Sequence, residues 1–312
     1  MSGNPLVSIA LCTYNGARFL SQQLDTLVNQ TYQPIEIIAV DDCSTDDTFS
    51  ILTEYANRYP QFKIYRNDAN LGFTANFEKA VKLCTGELIA LCDQDDLWDP
   101  KKIGLQANAI SDHVLIYHDS EFVHEDGTPM HKKMSDLMNF YRGGDPEVFL
   151  FFNCVSGHSI LMKRELVNEA LPLKPGYFHD WWLAYIAANI GTIDFIPQCL
   201  VKYRQHDASD TNILRQKRKA DTYKLSSVQK IQRIQQWLAY CAAFPKNKQQ
   251  GVIDQFYKAF TERVNSYMSF SLSRLLFKYR RQIFYIRKRS KANMLNYIVG
   301  QVWGVKTKKL FS

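Results

Sequence analysis

From residue 7 to residue 92 the chain switches repeatedly between two hydrophobic patterns. Short, mainly apolar runs at 7–12, 35–40, 62–65 and 88–92 predict buried strands. Between them, apolar residues recur at helical spacing. Phe19, Leu20, Leu24, Leu27 and Val28 follow the first run, a second segment ends at Tyr59, and a third occupies 74–84. Ser44, Thr45, Asp46 and Asp47 offer N-cap chemistry to the second helix. Strands alternating with helices predict βαβ units, and so a Rossmann-like, mostly parallel α/β sheet.

Polar residues collect where the predicted strands end. Cys12 closes the first, before Thr13, Tyr14, Asn15 and Gly16; Asp41 and Asp42 close the second; Asp93, Gln94, Asp95 and Asp96 follow the fourth. Open α/β sheets bind ligands at the carboxyl ends of their strands. Clustered carboxylates repel one another unless a cation sits between them. A divalent metal carrying a diphosphate suits such hard oxygen ligands. The chain has neither G-x-G-x-x-G nor a P-loop, so a metal takes the part of a glycine-rich phosphate cradle. Tyr14 offers a ring to stack on a base, Asp42 an acceptor for a base imide or ribose hydroxyl, and the Asp93 group a hold on ribose and metal. Any one of these Asp residues would serve as a helix cap; the set together describes a nucleotide-diphosphate pocket.

Further along, Tyr177-Phe178-His179-Asp180-Trp181-Trp182 places one carboxylate beside large aromatics. The residues alone fit core tryptophans beside an N-capping Asp180, and equally a ring-stacking wall beside a partly desolvated base of raised pKa. Tyr203-Arg204-Gln205-His206 follows an apolar run. Arg204 is able to meet a phosphate, and His206 is either a structural residue or a neutral nitrogen ligand for a metal. His118, Asp119, His124 and His131 lack regular metal-site spacing and are expected at the surface and in loops.

Composition and charge add a second module. Residues 213–312 hold 22 Lys and Arg against 3 Asp and Glu, whereas residues 1–212 hold 16 against 28. This asymmetry predicts a division at 212 into two modules with different partners. Helical patterns run over 228–244 and 252–270. At 272–289, aromatics and aliphatics interleave with Arg and Lys as in one basic amphipathic helix, fit to lie on an anionic membrane surface. Trp303 is a candidate interfacial anchor. No nucleic-acid motif accompanies the basic residues, so nucleic acid is not expected as a partner; a helical bundle that forms a homodimer is the plainer alternative. The seven cysteines show no CxxC spacing, which fits a reducing compartment. Residues 1–5 lack a basic leader region, and no apolar run reaches bilayer-spanning length. A cytoplasmic protein, peripheral on the inner face of the plasma membrane, is expected.

The ordered motifs resemble those of family 2 glycosyltransferases. They are Val7 to Gly16, Gln30-Thr31-Tyr32, Val40 to Asp46, Asn70-Leu71-Gly72 and Asp93-Gln94-Asp95-Asp96. The likeness covers about residues 5 to 210. It implies the A-type glycosyltransferase fold and an inverting, usually metal-assisted transfer from a nucleotide-diphospho-sugar. By position, Cys12, Tyr14, Asp42 and Asp93 would line the nucleotide. Asp95 would sit nearest Mg²⁺ or Mn²⁺, with Asp96 a close second and His206 completing the shell. Asp180 would be the general base. His158, His179, Trp181, Trp182 and Arg204 would face the donor or acceptor sugar. His179 stands where the family more often carries Glu. His-Asp-Trp-Trp looks like a variant of bacterial rhamnosyltransferases, which implies dTDP-L-rhamnose as donor and a lipid-linked surface polysaccharide as acceptor. The rivals are a UDP-hexose donor on the same fold, and a nucleotide-sugar-binding scaffold without transfer.

Overall fold

The computed structural model describes residues 3–206, 214, 227–288 and 290–310. Arg215-Gln216-Lys217-Arg218-Lys219, the basic run that opens the second module of the sequence, lies outside them. The described chain forms two compact units, one comprising Met1–Asp136, Phe140–Gly144 and Val155–Gln205, the other Leu137–Asn139, Asp145–Cys154 and His206–Ser312. The second unit thus takes in a segment at 145–154 that a division at 212 assigns to the first.

The first unit opens with β1 (Val7–Thr13), α1 (Ala17–Val28), β2 (Ile35–Asp41), α2 (Thr48–Arg58), β3 (Phe62–Arg66), α3 (Phe73–Leu83) and β4 (Leu88–Cys92). It continues with β5 (Leu97–Trp98), α4 (Lys102–Ala109), β6 (Leu115–Val123), β7 (Pro129–Lys133), the single turn α5 (Met134–Leu137), β8 (Leu161–Lys163), α6 (Arg164–Ala170), α7 (His179–Ile190) and β9 (Ile193–Arg204). The strands form one sheet in the order β3-β2-β1-β4-β8-β6-β9-β5, with β7 paired to β6. From β3 to β4 the ladder is parallel, as the alternating pattern requires; beyond β4 it becomes mixed, with β6 and β9 parallel.

β1 and β2 are buried along their whole length, which explains their near-continuous apolar runs. Within the apolar run of β2, at 35–40, the exception is Glu36, 6% exposed. Its carboxylate accepts hydrogen bonds from the Ser8 hydroxyl at 2.7 Å, the Thr85 hydroxyl at 2.8 Å and Lys63 Nζ at 3.1 Å. Burial alone would raise its pKa, but bonds from Ser8, Thr85 and Lys63 hold it down at about 2. β6 corrects one expectation. His118 and Asp119 lie in its buried core rather than in a surface loop, whereas His124 and His131 are exposed. Asp119 is satisfied by the Ser135 hydroxyl and by backbone N–H groups of Ser120 and Ser135.

The second unit is helical: α8 (Ser227–Ala242), α9 (Gln250–Asn265), α10 (Ser271–Lys278), α11 (Arg280–Ile283), α12 (Lys291–Gly300) and α13 (Val305–Leu310). Trp237, Leu238, Phe256 and Phe260 fill its core, and Trp237 donates from its indole to Leu150 O at 3.1 Å. The predicted amphipathic helix at 272–289 is not continuous. It breaks at Tyr279 and again after Ile283, which turns Phe284 and Ile286 inward. Phe284 packs edge-on against Tyr297 at 5.5 Å and tilted on Phe152 at 5.7 Å. Burying those rings outweighs carrying one helix axis past Tyr279. Among the described residues, no helix is long and apolar enough to cross a membrane.

Candidate active site

The parallel strands bring the first, second and fourth strand-end loops together. Asn15 holds the first two in register: its backbone N–H donates to Ser44 Oγ at 2.9 Å and its Oδ1 accepts from Thr45 N at 2.8 Å. Asn15 and Cys43 adopt left-handed backbone, with φ of 46° and 64°. Gln94 ties the first loop to the fourth. Its Oε1 accepts from Tyr14 N at 2.8 Å and its Nε2 donates to Tyr14 O at 3.0 Å. A Cβ at position 16 would lie 2.1 Å from Gln94 Oε1, so this contact requires Gly16. The side chain of Tyr14 stays 45% exposed.

Asp42 is buried and orders the Asn70-Leu71-Gly72 turn. It accepts from Asn67 Nδ2 at 2.7 Å and from the backbone N–H groups of Leu71 and Gly72, both at 2.8 Å. Cys12 is buried at the end of β1, where burial first and then the Asp93 charge push its thiol pKa well up.

In the acidic loop the side chains part company. Asp93 and Asp95 are half-buried, while Asp96 is fully buried and its Oδ2 has no hydrogen-bond partner among the described residues. Burial, then the neighbouring Asp95 and Asp93 charges, raise the Asp96 pKa well above the usual carboxylate range. Ligand atoms of Asp93, Asp96 and His158 lie within 4.8 Å of one another. His158 Nδ1 is 3.7 Å from Asp96 Oδ2, and Ser120 Oγ fixes the ring from Nε2 at 2.8 Å. Burial lowers the His158 pKa to about 3, so the imidazole is neutral. An orphaned buried carboxylate oxygen, a second carboxylate and a neutral imidazole held by a hydroxyl fit a divalent cation of the Mn²⁺ or Mg²⁺ type. The cluster contains Asp96, one of the expected ligands, together with Asp93 and His158; Asp95 and His206 were the other two expected. His206 is half-buried and belongs to the second unit.

Arg204 is 2% exposed, and its guanidinium donates to Asp95 O at 2.8 Å, Gln22 Oε1 at 2.8 Å and Glu125 O. Its backbone N–H donates to Asp96 Oδ1 at 3.1 Å. It therefore braces the acidic loop instead of presenting itself to a phosphate or sugar. Behind the same loop the sequence reading missed Lys102. It is fully buried, its Nζ lies 3.5 Å from the Trp98 ring centroid, and burial brings its pKa down to about 7.

Asp180 lies in the first turn of α7, half-buried, and its Oδ1 has no partner among the described residues. Burial raises its pKa to about 7 against the opposing backbone hydrogen bonds from Trp181 and Gly157. Gly157 directly precedes His158, so neighbouring residues of one short turn meet Asp180 and Asp96. Around Asp180 the aromatic residues divide. Trp181 is half-buried, edge-on to Tyr177 at 6.0 Å, and Phe178 stacks on exposed Phe73 at 6.0 Å. Trp182 is 2% exposed and donates to Ala170 O at 2.7 Å, so it is core and no part of a sugar wall. His179 also turns inward. It packs on Phe77 at 4.2 Å, burial lowers its pKa to about 4, and a Cβ on Gly157 would sit 3.0 Å from its Nε2.

The glycosyl transferase family 2 model matches residues 8–171, just over half of the sequence and all of these loops except those of Asp180 and Arg204. The chain belongs to that family. An uncharacterised protein of Mycobacterium tuberculosis is 32% identical over 208 residues, covering 64% of this chain and 59% of its own length. The chain thus spans less than two thirds of that relative. An uncharacterised glycosyltransferase of Rickettsia typhi is 30% identical over 220 residues, 67% of each chain. Among solved structures, S. aureus TarS in complex with UDP-GlcNAc has a TM-score of 0.59 at 16% identity, covering 95% of this chain and 81% of that one. The mannosyltransferase PcManGT from Pyrobaculum calidifontis, in complex with GDP-Man and Mn²⁺, has a TM-score of 0.55 at 18% identity, covering 98% and 88%. At such identities the likeness establishes the fold, and the family 2 domain has the A-type glycosyltransferase fold.

Proposed function

We propose that this family 2 protein is an inverting glycosyltransferase in which Asp180 is the general base. The observation that carries the reading is the Asp180 carboxylate, desolvated enough to titrate near neutrality, with one oxygen unpartnered and aromatic side chains beside it. An acceptor hydroxyl donates to Asp180 and loses its proton there as its oxygen attacks the anomeric carbon. The attack comes from the face opposite the diphosphate. The bond from the anomeric carbon to the diphosphate oxygen breaks, the leaving group keeps the electron pair, and configuration inverts.

Asp93, Asp96 and His158 would hold Mg²⁺ or Mn²⁺, which supplies charge neutralisation at the leaving diphosphate. Arg204 and Gln94 keep the acidic loop in place, Tyr14 stacks on the base, and Asp42 and Cys12 back the nucleotide. Trp181 and Phe178 offer faces for the acceptor.

For the donor we favour dTDP-L-rhamnose, on the likeness of His179-Asp180-Trp181-Trp182 to rhamnosyltransferases, with a lipid-linked surface polysaccharide as acceptor at the inner membrane face. The likeness to TarS bound to UDP-GlcNAc supports a UDP-sugar as the second reading. A thermal-shift screen with Mn²⁺ against dTDP, UDP, GDP and their sugars tests both. A ligand held at 100 times its Kd stabilises the native state by about 2.7 kcal/mol, well within reach of such a screen. Preferential stabilisation by dTDP species supports rhamnose; UDP species would remove it; no response would sink the donor site. His158→Ala is expected to abolish the Mn²⁺-dependent part of the shift and leave the nucleotide-only part. An unchanged Mn²⁺ effect would exclude His158 from the cation site.

A further inference from the structure

Twelve large apolar side chains are exposed among the described residues, and eight of them lie between Tyr267 and Trp303. They are gathered by the fold of the second unit. Met268 and Trp303 form an antiparallel bridge, Ser269 N donates to Val302 O at 2.9 Å, and Gly304 N donates to Tyr267 O at 2.8 Å. The Ser273 hydroxyl donates to Ile298 O at 2.9 Å and fastens α10 to α12. Phe270, Val299 and Trp303 are 63%, 62% and 47% exposed around this junction. Along α10, Leu272 and Leu276 face inward. The outward stripe is Phe270, Arg274, Phe277 and Lys278, at i, i+4, i+7 and i+8. From residue 267 to residue 312 the sequence has 11 Lys and Arg and no Asp or Glu.

We propose that this surface, formed by the α10 stripe and the Tyr267–Trp303 junction, docks on an anionic lipid bilayer. Two features select that occupant. Exposed aromatic and aliphatic side chains among cations match the boundary between acyl chains and anionic headgroups, where rings enter and Lys and Arg stay at the phosphates. A second copy of the chain would set one mainly basic face against another, with Glu262, which accepts from the Ser269 and Ser271 hydroxyls, as the acidic residue at its border. RNA would leave Val299 and Met268 without a use. The surface differs from a continuous amphipathic helix, since it is assembled from segments about thirty residues apart, and its existence depends on the fold. It is independent of the transfer reaction.

The test is flotation of the full chain with phosphatidylcholine vesicles, with and without phosphatidylglycerol. Binding to the anionic vesicles alone, weakened by added salt, is expected. The combined variant Phe270→Ser, Val299→Ser, Trp303→Ser is expected to lower partitioning at least ~10-fold, as apolar insertion is lost. A separate variant, Arg274→Gln with Lys278→Gln, leaves every apolar side chain in place and is expected to lose the preference for anionic lipid. Circular dichroism and the nucleotide-dependent thermal shift should match the unsubstituted chain in both, so failure of the donor site would show separately. Absence of vesicle binding would overturn the proposal. So would apolar variants that abolish self-association in sedimentation while leaving vesicle binding intact, or RNA retention without vesicle binding.

Discussion

At the scale of single residues, Asp180 carries the sharpest expectation. Its folded-state pKa of about 7 exceeds the aspartate value of 3.8. As a base it must be ionised, so kcat/KM is expected to rise with pH through an apparent pKa near 7. Asp180→Asn should lower kcat by roughly 10³ while leaving the nucleotide Kd nearly unchanged. The same shift has a sign for stability. The folded state binds the extra proton, so the group's contribution is fully present below the unfolded pKa and is lost as pH rises through 7. Asp180→Asn should therefore be more stable than the parent at pH 8, by on the order of 2 kcal/mol, with the advantage gone at pH 4; urea midpoints at the two pH values measure it. A variant no more stable at pH 8 would deny that the carboxylate is desolvated. Asp180 stands out as a candidate in the sequence because a lone carboxylate among aromatics is unusual. Which of its neighbours face a ligand was not legible. Trp181 and Trp182 are alike in composition, and only the 100° turn of α7 between them decides which enters the core. Gln94 reads as a spacer between carboxylates. Its work is to grip the Tyr14 backbone across the sheet, and no local pattern records that.

At the scale of elements, continuous apolar runs were enough to place β1, β2 and β4, because strands buried on both faces leave little choice of residue. Glu36 breaks the run in β2 and its role is invisible until Ser8, Lys63 and Thr85 converge on it. With a folded pKa of about 2, its contribution is present above the unfolded value and is lost as pH falls toward 2. Glu36→Gln is expected to cost about 2 kcal/mol at pH 7, where it leaves buried donors ill-matched, and progressively less below pH 4. Equal denaturation midpoints for the two proteins at pH 7 would refute this. The break at Tyr279 shows where periodicity misleads. Residues 272, 276, 283 and 286 keep helical spacing and all are buried, yet the chain reaches that burial with two short helices and a turn. Spacing reports which residues face inward; it does not report whether one axis carries them.

At the scale of the whole molecule, the charge contrast between the two parts of the sequence survives as two compact units with unlike surfaces, although a segment at 145–154 crosses over. The acidic loop shows what the first unit does with its own framework. Gln94 binds it to β1, and Arg204 at the end of β9 reaches Asp95, Gln22 and Glu125 together. A segment pinned from both sides does not breathe. Whatever opens and closes during a catalytic cycle must be sought elsewhere in the chain, and the field that the carboxylates present is set before any ligand arrives. The backbone amides of residues 14 and 204, which donate to Gln94 Oε1 and Asp96 Oδ1, should then exchange with deuterium among the slowest outside the central strands, at a rate indifferent to added nucleotide. Arg204→Lys, with one donor group in place of a fork, should let them exchange faster while the amides of β1 keep their protection.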